Sequence, residues 1–291
     1  MVHAKVSSLD LKGVLAFLVS GCVLLSSAIV PARVAAQQLP VLFDANERLP
    51  RPDLSTLLRL RFLTTTDFPP FNFADQTGRL AGFHVELARE ICSELAIEAK
   101  CQIQALPYAD LEKALSEGQG EAVIAGVGVT TELRRSFSFS RPFMQLPARF
   151  VRNAGVDIPG NEVASLAGRP VGVVKGTAHE AMLKAFFPDV RSTGFADRGA
   201  MLQALKEKKV DAVFADALQL SFWTAGEASG HCCTMMDGAY VSEKFLGEGL
   251  TIMLRQDEGA LTAAIDSALA AISRDGRLQE IYLRYFPNSL Y

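Results

Sequence analysis

The chain has 291 residues, 49% of them hydrophobic and 21% charged, with a formal net charge of −3. This composition excludes a disordered polymer, because there is enough apolar surface to offset the entropy of ordering one large domain or two ordinary ones. The slightly acidic balance excludes a general nucleic-acid binder, which needs a basic stripe to neutralise phosphates.

In chain order, residues 1–36 read as a secretory signal peptide. Lys5 and Lys12 precede an apolar run from Val14 to Val30, and Val34-Ala35-Ala36 offers small residues for cleavage before Gln37. A membrane anchor is the competing reading, but a run of about 17 residues is the short limit for a span. Ser20, Gly21, Ser26 and Ser27 also interrupt it. Val19-Ser20-Gly21-Cys22 resembles a lipobox that would lipidate Cys22, yet the residues after Cys22 stay greasy, which ranks this route second. Export to the periplasm follows as the expectation.

Residues 37–56 are a polar lead-in with Pro40, Pro50 and Pro52, and the ordered body is expected from Leu60. Strands and helices then alternate. Leu60–Thr64 reads as a strand. Residues 82–96 read as a helix, with Phe83, Leu87, Ile91 and Leu95 spaced for one buried face. A strand over 102–106, a helix over 108–117 stopped by Gly118, and a strand over 122–125 follow. The pattern restarts with a strand over Pro170–Val174, helices over 177–186 and 199–206, and a strand over 211–215. A strand over 250–254, a long helix over 261–274 and a last helical turn close the chain. This alternation predicts two α/β units built on mainly parallel sheets. Such sheets bind ligands at the carboxyl ends of their strands, and two facing units make a cleft.

Four cysteines follow residue 36: Cys92, Cys101, Cys232 and Cys233. An even number in an oxidising compartment points to disulfides. Cys92 closes a helical pattern and Cys101 opens a strand, which permits a short staple. Joining the neighbours Cys232 and Cys233 to each other is strained, so their pairing stays open. The four histidines lack finger spacing, and neither a metal nor a cofactor is expected. His84 is expected to face solvent or a lobe edge, and His179 to border the cleft.

The segment Asp67-Phe68-Pro69-Pro70-Phe71-Asn72-Phe73, with Gly78 and Gly82-Phe83-His84-Val85-Glu86-Leu87, resembles the opening of polar amino-acid-binding proteins of ABC importers. The resemblance continues through Glu121-Ala122-Val123-Ile124-Ala125-Gly126, Phe139-Ser140-Arg141-Pro142-Phe143 and Leu166-Ala167-Gly168. It runs on to Gly176-Thr177, Val210-Asp211-Ala212-Val213, Asp216 and Asp275-Gly276. It spans residues 60–287 and marks the chain as similar to bacterial extracellular solute-binding protein family 3. The resemblance implies the type II periplasmic-binding fold: two α/β lobes joined by a two-strand hinge, with residues 57–146 plus 243–291 in lobe one and 147–242 in lobe two. Crossings are expected near 147–151 and 241–245. It also implies a Cys92–Cys101 disulfide, an ABC permease in the inner membrane as partner, and a monomer.

The same resemblance assigns the site. Phe68 and Tyr108 would sandwich the ligand between apolar faces; core packing is the competing role of each. Asp216, at the carboxyl end of its strand, would hold an ammonium group by a charge-assisted hydrogen bond, or act only as a helix N-cap. Thr177, with Gly176, would present backbone N–H groups to an anion, or again only cap a helix, and Lys175 adds positive charge. Ala125, Gly126 and Gly128 stand in the loop where relatives often carry hydroxyls, and Ala178 takes the place of another. The arginine that clamps the ligand's α-carboxylate in such relatives aligns with Leu133, and Leu cannot do guanidinium chemistry. Arg134 is one residue away. Three functions therefore compete: a receptor for an amino acid or related anionic solute, a binder of a non-amino-acid organic acid or cofactor, and a secreted dehydratase-like enzyme on the same fold. The want of a convincing catalytic acid or base favours a binder over an enzyme.

Overall fold

A computed structural model describes residues 38–286 and 290–291; the expected signal peptide and Cys22 lie outside the described residues. In chain order the elements are β1 (Leu60–Thr64), β2 (Asp67–Phe68), β3 (Asn72–Ala74), β4 (Leu80–Ala81), α1 (Phe83–Glu94), β5 (Cys101–Ala105), α2 (Leu111–Ser116), β6 (Ala122–Val123), α3 (Leu133–Ser136) and β7 (Phe137–Phe139). Next come β8 (Ala148–Asn153), β9 (Pro170–Val174), α4 (Ala178–Phe186), β10 (Arg191–Phe195), α5 (Arg198–Lys206), β11 (Ala212–Asp216), α6 (Ala217–Ala225) and β12 (Cys233–Met235). Then α7 (Glu243–Leu246), β13 (Met253–Arg255), α8 (Gly259–Arg274) and α9 (Arg277–Tyr285) end the fold.

Two five-stranded sheets organise these elements, in the orders β5-β1-β6-β13-β7 and β10-β9-β11-β8-β12. The pairs β1–β5, β1–β6, β9–β10 and β9–β11 are parallel, whereas β13, β8 and β12 pair antiparallel. The sheets are mixed rather than mainly parallel, because the alternation of βα units does not reveal the antiparallel direction of β8, β12 and β13. Side-chain alternation loads both faces of each sheet. In the first, Leu60 and Phe62 enter one cluster with α1, α8 and α9, while Leu63 enters another with α2. In the second, Phe150 and Phe214 pack on the α4 side, while Val151 and Val213 pack on the α5–α6 side. Each sheet with its helices is a lobe. The chain runs from one to the other beside two antiparallel bridges, Met144–Leu250 and Ala148–Tyr240.

The lead-in is more ordered than its composition predicts. Leu39 and Phe43 are buried in the first lobe's main cluster, with Leu49, Leu54 and Leu57 packed against it. The Leu39 N–H donates to Gln279 Oε1 at 2.6 Å, and Arg274 donates to the carbonyls of Asp44 and Glu47 at 2.9 and 2.8 Å. These apolar residues follow neither a helical nor a strand period, so their burial leaves no periodic signal.

Both disulfides form within the described residues. Cys92–Cys101 ties the end of α1 to the start of β5, with Cα atoms 6.2 Å apart. Cys232 and Cys233 bond to each other across 3.7 Å between Cα atoms, which decides the pairing the sequence left open in favour of the neighbour bond. The chain approaches this pair through Gly230 and His231, both with positive φ.

His84 corrects a second expectation: it is fully buried rather than facing solvent or an edge. The Phe71 carbonyl lies over the start of α1, where it accepts from the His84 N–H at 2.8 Å. Gly82 makes this approach feasible, since a Cβ there would lie 2.3 Å from the Phe71 oxygen and its φ is +123°. Asn72 Nδ2 donates to Thr65 Oγ1 at 2.6 Å and Asn72 Oδ1 faces His84 Nδ1 at 2.8 Å. That network assigns the imidazole proton to Nδ1, and Nε2 meets no hydrogen-bond partner. Burial pushes the His84 pKa down to about 3. The unfolded chain then binds a proton that the folded one refuses. The stabilising contribution is complete above the ordinary pKa of 6.5 and is lost as pH falls from there towards 3. In urea titrations His84→Gln is expected to show a smaller drop in midpoint between pH 7 and pH 4 than the wild type; parallel drops would refute the assignment.

Candidate functional site

The first lobe contributes Phe68. It ends β2, opposite Asn72 in the hairpin pairing, and its ring stacks on Phe71 with centroids 4.8 Å apart and planes 25° apart. Phe71 is fully buried, so Phe68 is a half-buried plate resting on a rigid aromatic base. Behind it lies Gly126, where a Cβ would stand 2.7 Å from Phe68 Cε1. Gly126 also has φ +72°, which an L side chain adopts only at a cost of about 1 kcal/mol. Gly126→Ala is therefore expected to swing Phe68 off its base and weaken ligand affinity more than it lowers the melting temperature; calorimetry on the folded variant checks this.

The second lobe contributes the ends of β9 and β11. Thr177 caps α4: its hydroxyl accepts from the Glu180 N–H at 3.2 Å and donates to the Val174 carbonyl at 2.8 Å. Glu180 Oε2 accepts the Gly176 N–H at 2.7 Å, so a carboxylate of the chain itself sits at this helix start. Asp216 caps α6, accepting the Gln219 N–H at 2.9 Å. It pairs with Ala148 across β11 and β8, beside the passage between lobes, and the Ala217 N–H donates to the Pro147 carbonyl at 2.9 Å. Burial raises the Asp216 pKa above 3.8, while hydrogen bonds from Gln219 and Leu218 and the charges of His179 and Arg198 pull the other way. Burial lowers the pKa of His179 despite the Asp216 charge.

Two cavities join these parts. One, of about 440 Å³, is lined by residues including Thr177, His179, Phe214, Asp216, Arg198 and Gln219. The other, of about 820 Å³, is lined by Asp67, Phe68 and Pro69 from the first lobe and by Arg198, Gln219 and Trp223, among others, from the second. Arg198 and Gln219 line both. The candidate recess comprises both cavities: Phe68, backed by Gly126, lines one, and Thr177 and Asp216 line the other.

The remaining predicted residues fall outside it. Tyr108 is 53% exposed and lines neither cavity. Lys175 lays its stem along Gly194, with Cγ 2.6 Å from the position a Cβ would take. Ala125 is buried on the α2 side of the sheet and Gly128 is exposed. Leu133 packs against that same apolar cluster. Arg134 is held by Glu248 at 2.5 and 2.7 Å and lies 5.6 Å over the Phe139 ring. Arg198, Gln219 and Asp197 carry no motif and stand out only by their place in the cavity walls; His179 was legible as the cleft-bordering residue two positions after Thr177. Among the described residues no group of three or more His, Cys, Asp or Glu side chains could hold a metal ion.

Residues 60–288 match the family described as bacterial extracellular solute-binding proteins, family 3. The chain belongs to that family. It is 26% identical over 233 residues to the ABC transporter arginine-binding protein 1 of Escherichia coli (strain K12), covering 79% of this chain and 91% of that one. It is 25% identical over 234 residues to the lysine/arginine/ornithine-binding periplasmic protein of the same organism, covering 80% and 89%. The L-cystine solute receptor of Neisseria gonorrhoeae, in its unliganded open conformation, superposes with a TM-score of 0.66 over 78% of this chain and 92% of that one. At 18% identity this last likeness bears on the fold alone, and it fixes the type II periplasmic-binding architecture. As a family 3 solute-binding protein the chain is a binder and not an enzyme. No helix among the described residues is long and apolar enough to cross a membrane.

Proposed function

We propose that this family 3 protein captures an amino acid or a closely related small polar solute in the recess between its lobes and delivers it to an ABC permease. One observation carries the reading. Two cavities that share Arg198 and Gln219 carry an aromatic plate, Phe68, on the first lobe and a half-buried carboxylate, Asp216, on the second. An apolar stem on the plate and an ammonium on the carboxylate is the division of labour an amino acid requires. The relatives named for arginine, lysine and ornithine support the same class. Two disulfides suit an oxidising compartment and support work in the periplasm, by a monomer whose two lobes hinge shut on ligand. Phe68, Thr177 and Asp216 form the core of the proposed site. Tyr108, Lys175 and the loop at Ala125, Gly126 and Gly128 belong to its periphery, where lobe closure would have to bring Tyr108 and Lys175 nearer.

A thermal-shift screen of the chain from Gln37 onward tests this. Ligand at 100 times its Kd stabilises by about 2.7 kcal/mol, which for a protein of this size raises the melting temperature by about 5–10 °C. L-arginine, L-lysine, L-histidine, L-glutamine or L-cystine is expected to give such a shift. The second reading, an organic acid lacking an ammonium group, is favoured by Leu133 standing where a clamp would be. A shift with dicarboxylates and none with amino acids would establish it instead.

A further inference from the structure

If the ligand is an amino acid, as proposed above, its carboxylate needs a cation, and the expected places do not supply one. Leu133 is part of the apolar packing of the first lobe. The Arg134 guanidinium is taken by both carboxylate oxygens of Glu248. The start of α4 already receives the carboxylate of Glu180 on the Gly176 N–H, and a second anion there would be repelled. Within the recess one cation stands out. Arg198 lines both cavities, donates to the side-chain oxygen of Gln219, and makes no ion pair among the described residues.

We infer that Arg198, at the start of α5 in the second lobe, holds the ligand carboxylate in place of the arginine missing from position 133. Gln219 organises the arrangement. Its backbone N–H is bonded to Asp216 Oδ1 at 2.9 Å and its side-chain oxygen to Arg198, so one residue sets an anion and a cation on the same wall. A guanidinium has five N–H donors in a rigid fork, and the bond to Gln219 leaves most of them for a carboxylate. The neighbouring acid, Asp197, turns its Oδ1 into its own helix, accepting the Ala200 N–H at 2.8 Å. An α-amino acid would thus present its ammonium to Asp216 and its carboxylate to Arg198, with its side chain directed to Phe68. Both charged ends are held by the second lobe, and the first lobe supplies the apolar plate.

The test compares wild type, Arg198→Gln and Arg198→Lys by calorimetry against three matched pairs: L-arginine and agmatine, L-lysine and cadaverine, L-histidine and histamine. Each amine lacks only the carboxylate. The wild type is expected to prefer at least one amino acid over its amine by about 30-fold or more, the scale for truncating one partner of a desolvated charge pair. Arg198→Gln should erase that preference while leaving amine affinity within about twofold, and Arg198→Lys should recover part of it, since an ammonium cannot form the bidentate contact. Arg198 is exposed, so the unliganded melting temperature should not move. An Arg198→Gln protein that keeps the preference overturns this assignment and leaves the proposed function standing. A wild type that binds none of these three amino acids, and neither L-glutamine nor L-cystine, overturns both.

Discussion

Asp216→Asn is expected to weaken amino-acid binding by about 30-fold to 1,000-fold, the range for removing one charge of a buried pair, without lowering stability appreciably. The two roles of this side chain make the substitution decisive. Asp216 caps α6 through Gln219 and also faces the recess. Asparagine caps a helix about as well as aspartate does, so the amide preserves the bond to the Gln219 N–H and deletes only the charge. Asp216→Ala removes the cap as well and should cost about 1 kcal/mol of stability in addition to the same loss of affinity. If Asp216→Asn binds like wild type, Asp216 is a cap and nothing more. The pH profile provides a further check. Burial raises the Asp216 pKa, so the apo carboxylate takes up its proton at a higher pH than an ordinary aspartate. A ligand ammonium requires the ionised form, so affinity should fall on acidification earlier than an ordinary aspartate would cause.

Phe71→Ala carries the largest expected effect on stability, about 3–5 kcal/mol for emptying a buried aromatic site, or on the order of 10 °C in melting temperature. Phe71 is fully buried, with Phe286, Phe83 and His84 ring centroids at 5.4, 6.0 and 4.9 Å. It is also the base on which Phe68 stacks. The variant should therefore lose affinity even well below its melting temperature, because the plate no longer has a fixed support. Calorimetric unfolding and isothermal titration separate the two effects. A stability change under about 1 kcal/mol, against the usual range for such a cavity, would mean that the site collapses freely and that Phe68 does not depend on it.

The strands β1 and β9 have the bounds their apolar runs predict, and α4 begins after Thr177 as its cap chemistry dictates. Local signals of this kind need only a few neighbouring residues, and so they are readable. The strands β2 and β4 are two residues each, too short for any period to register. The antiparallel placement of β8, β12 and β13 depends on partners far along the chain. His84 looks like a surface polar residue until the Phe71 backbone folds over the start of α1.

The site divides along the same line. The residue pattern and the family resemblance already point to a two-lobed α/β binder, place Phe68, Thr177 and Asp216 at element ends, and leave position 133 without an arginine. Which charged groups are available depends on the assembled lobes. Arg134 is spent on Glu248, a residue 114 positions away. Arg198 meets Gln219, 21 positions away, because α5 and α6 pack on the same face of the second sheet. Apolar periodicity is written locally because each element must bury its own face. The pairing of charges across a cleft depends on the distances between elements, and those are set only when the lobes are assembled.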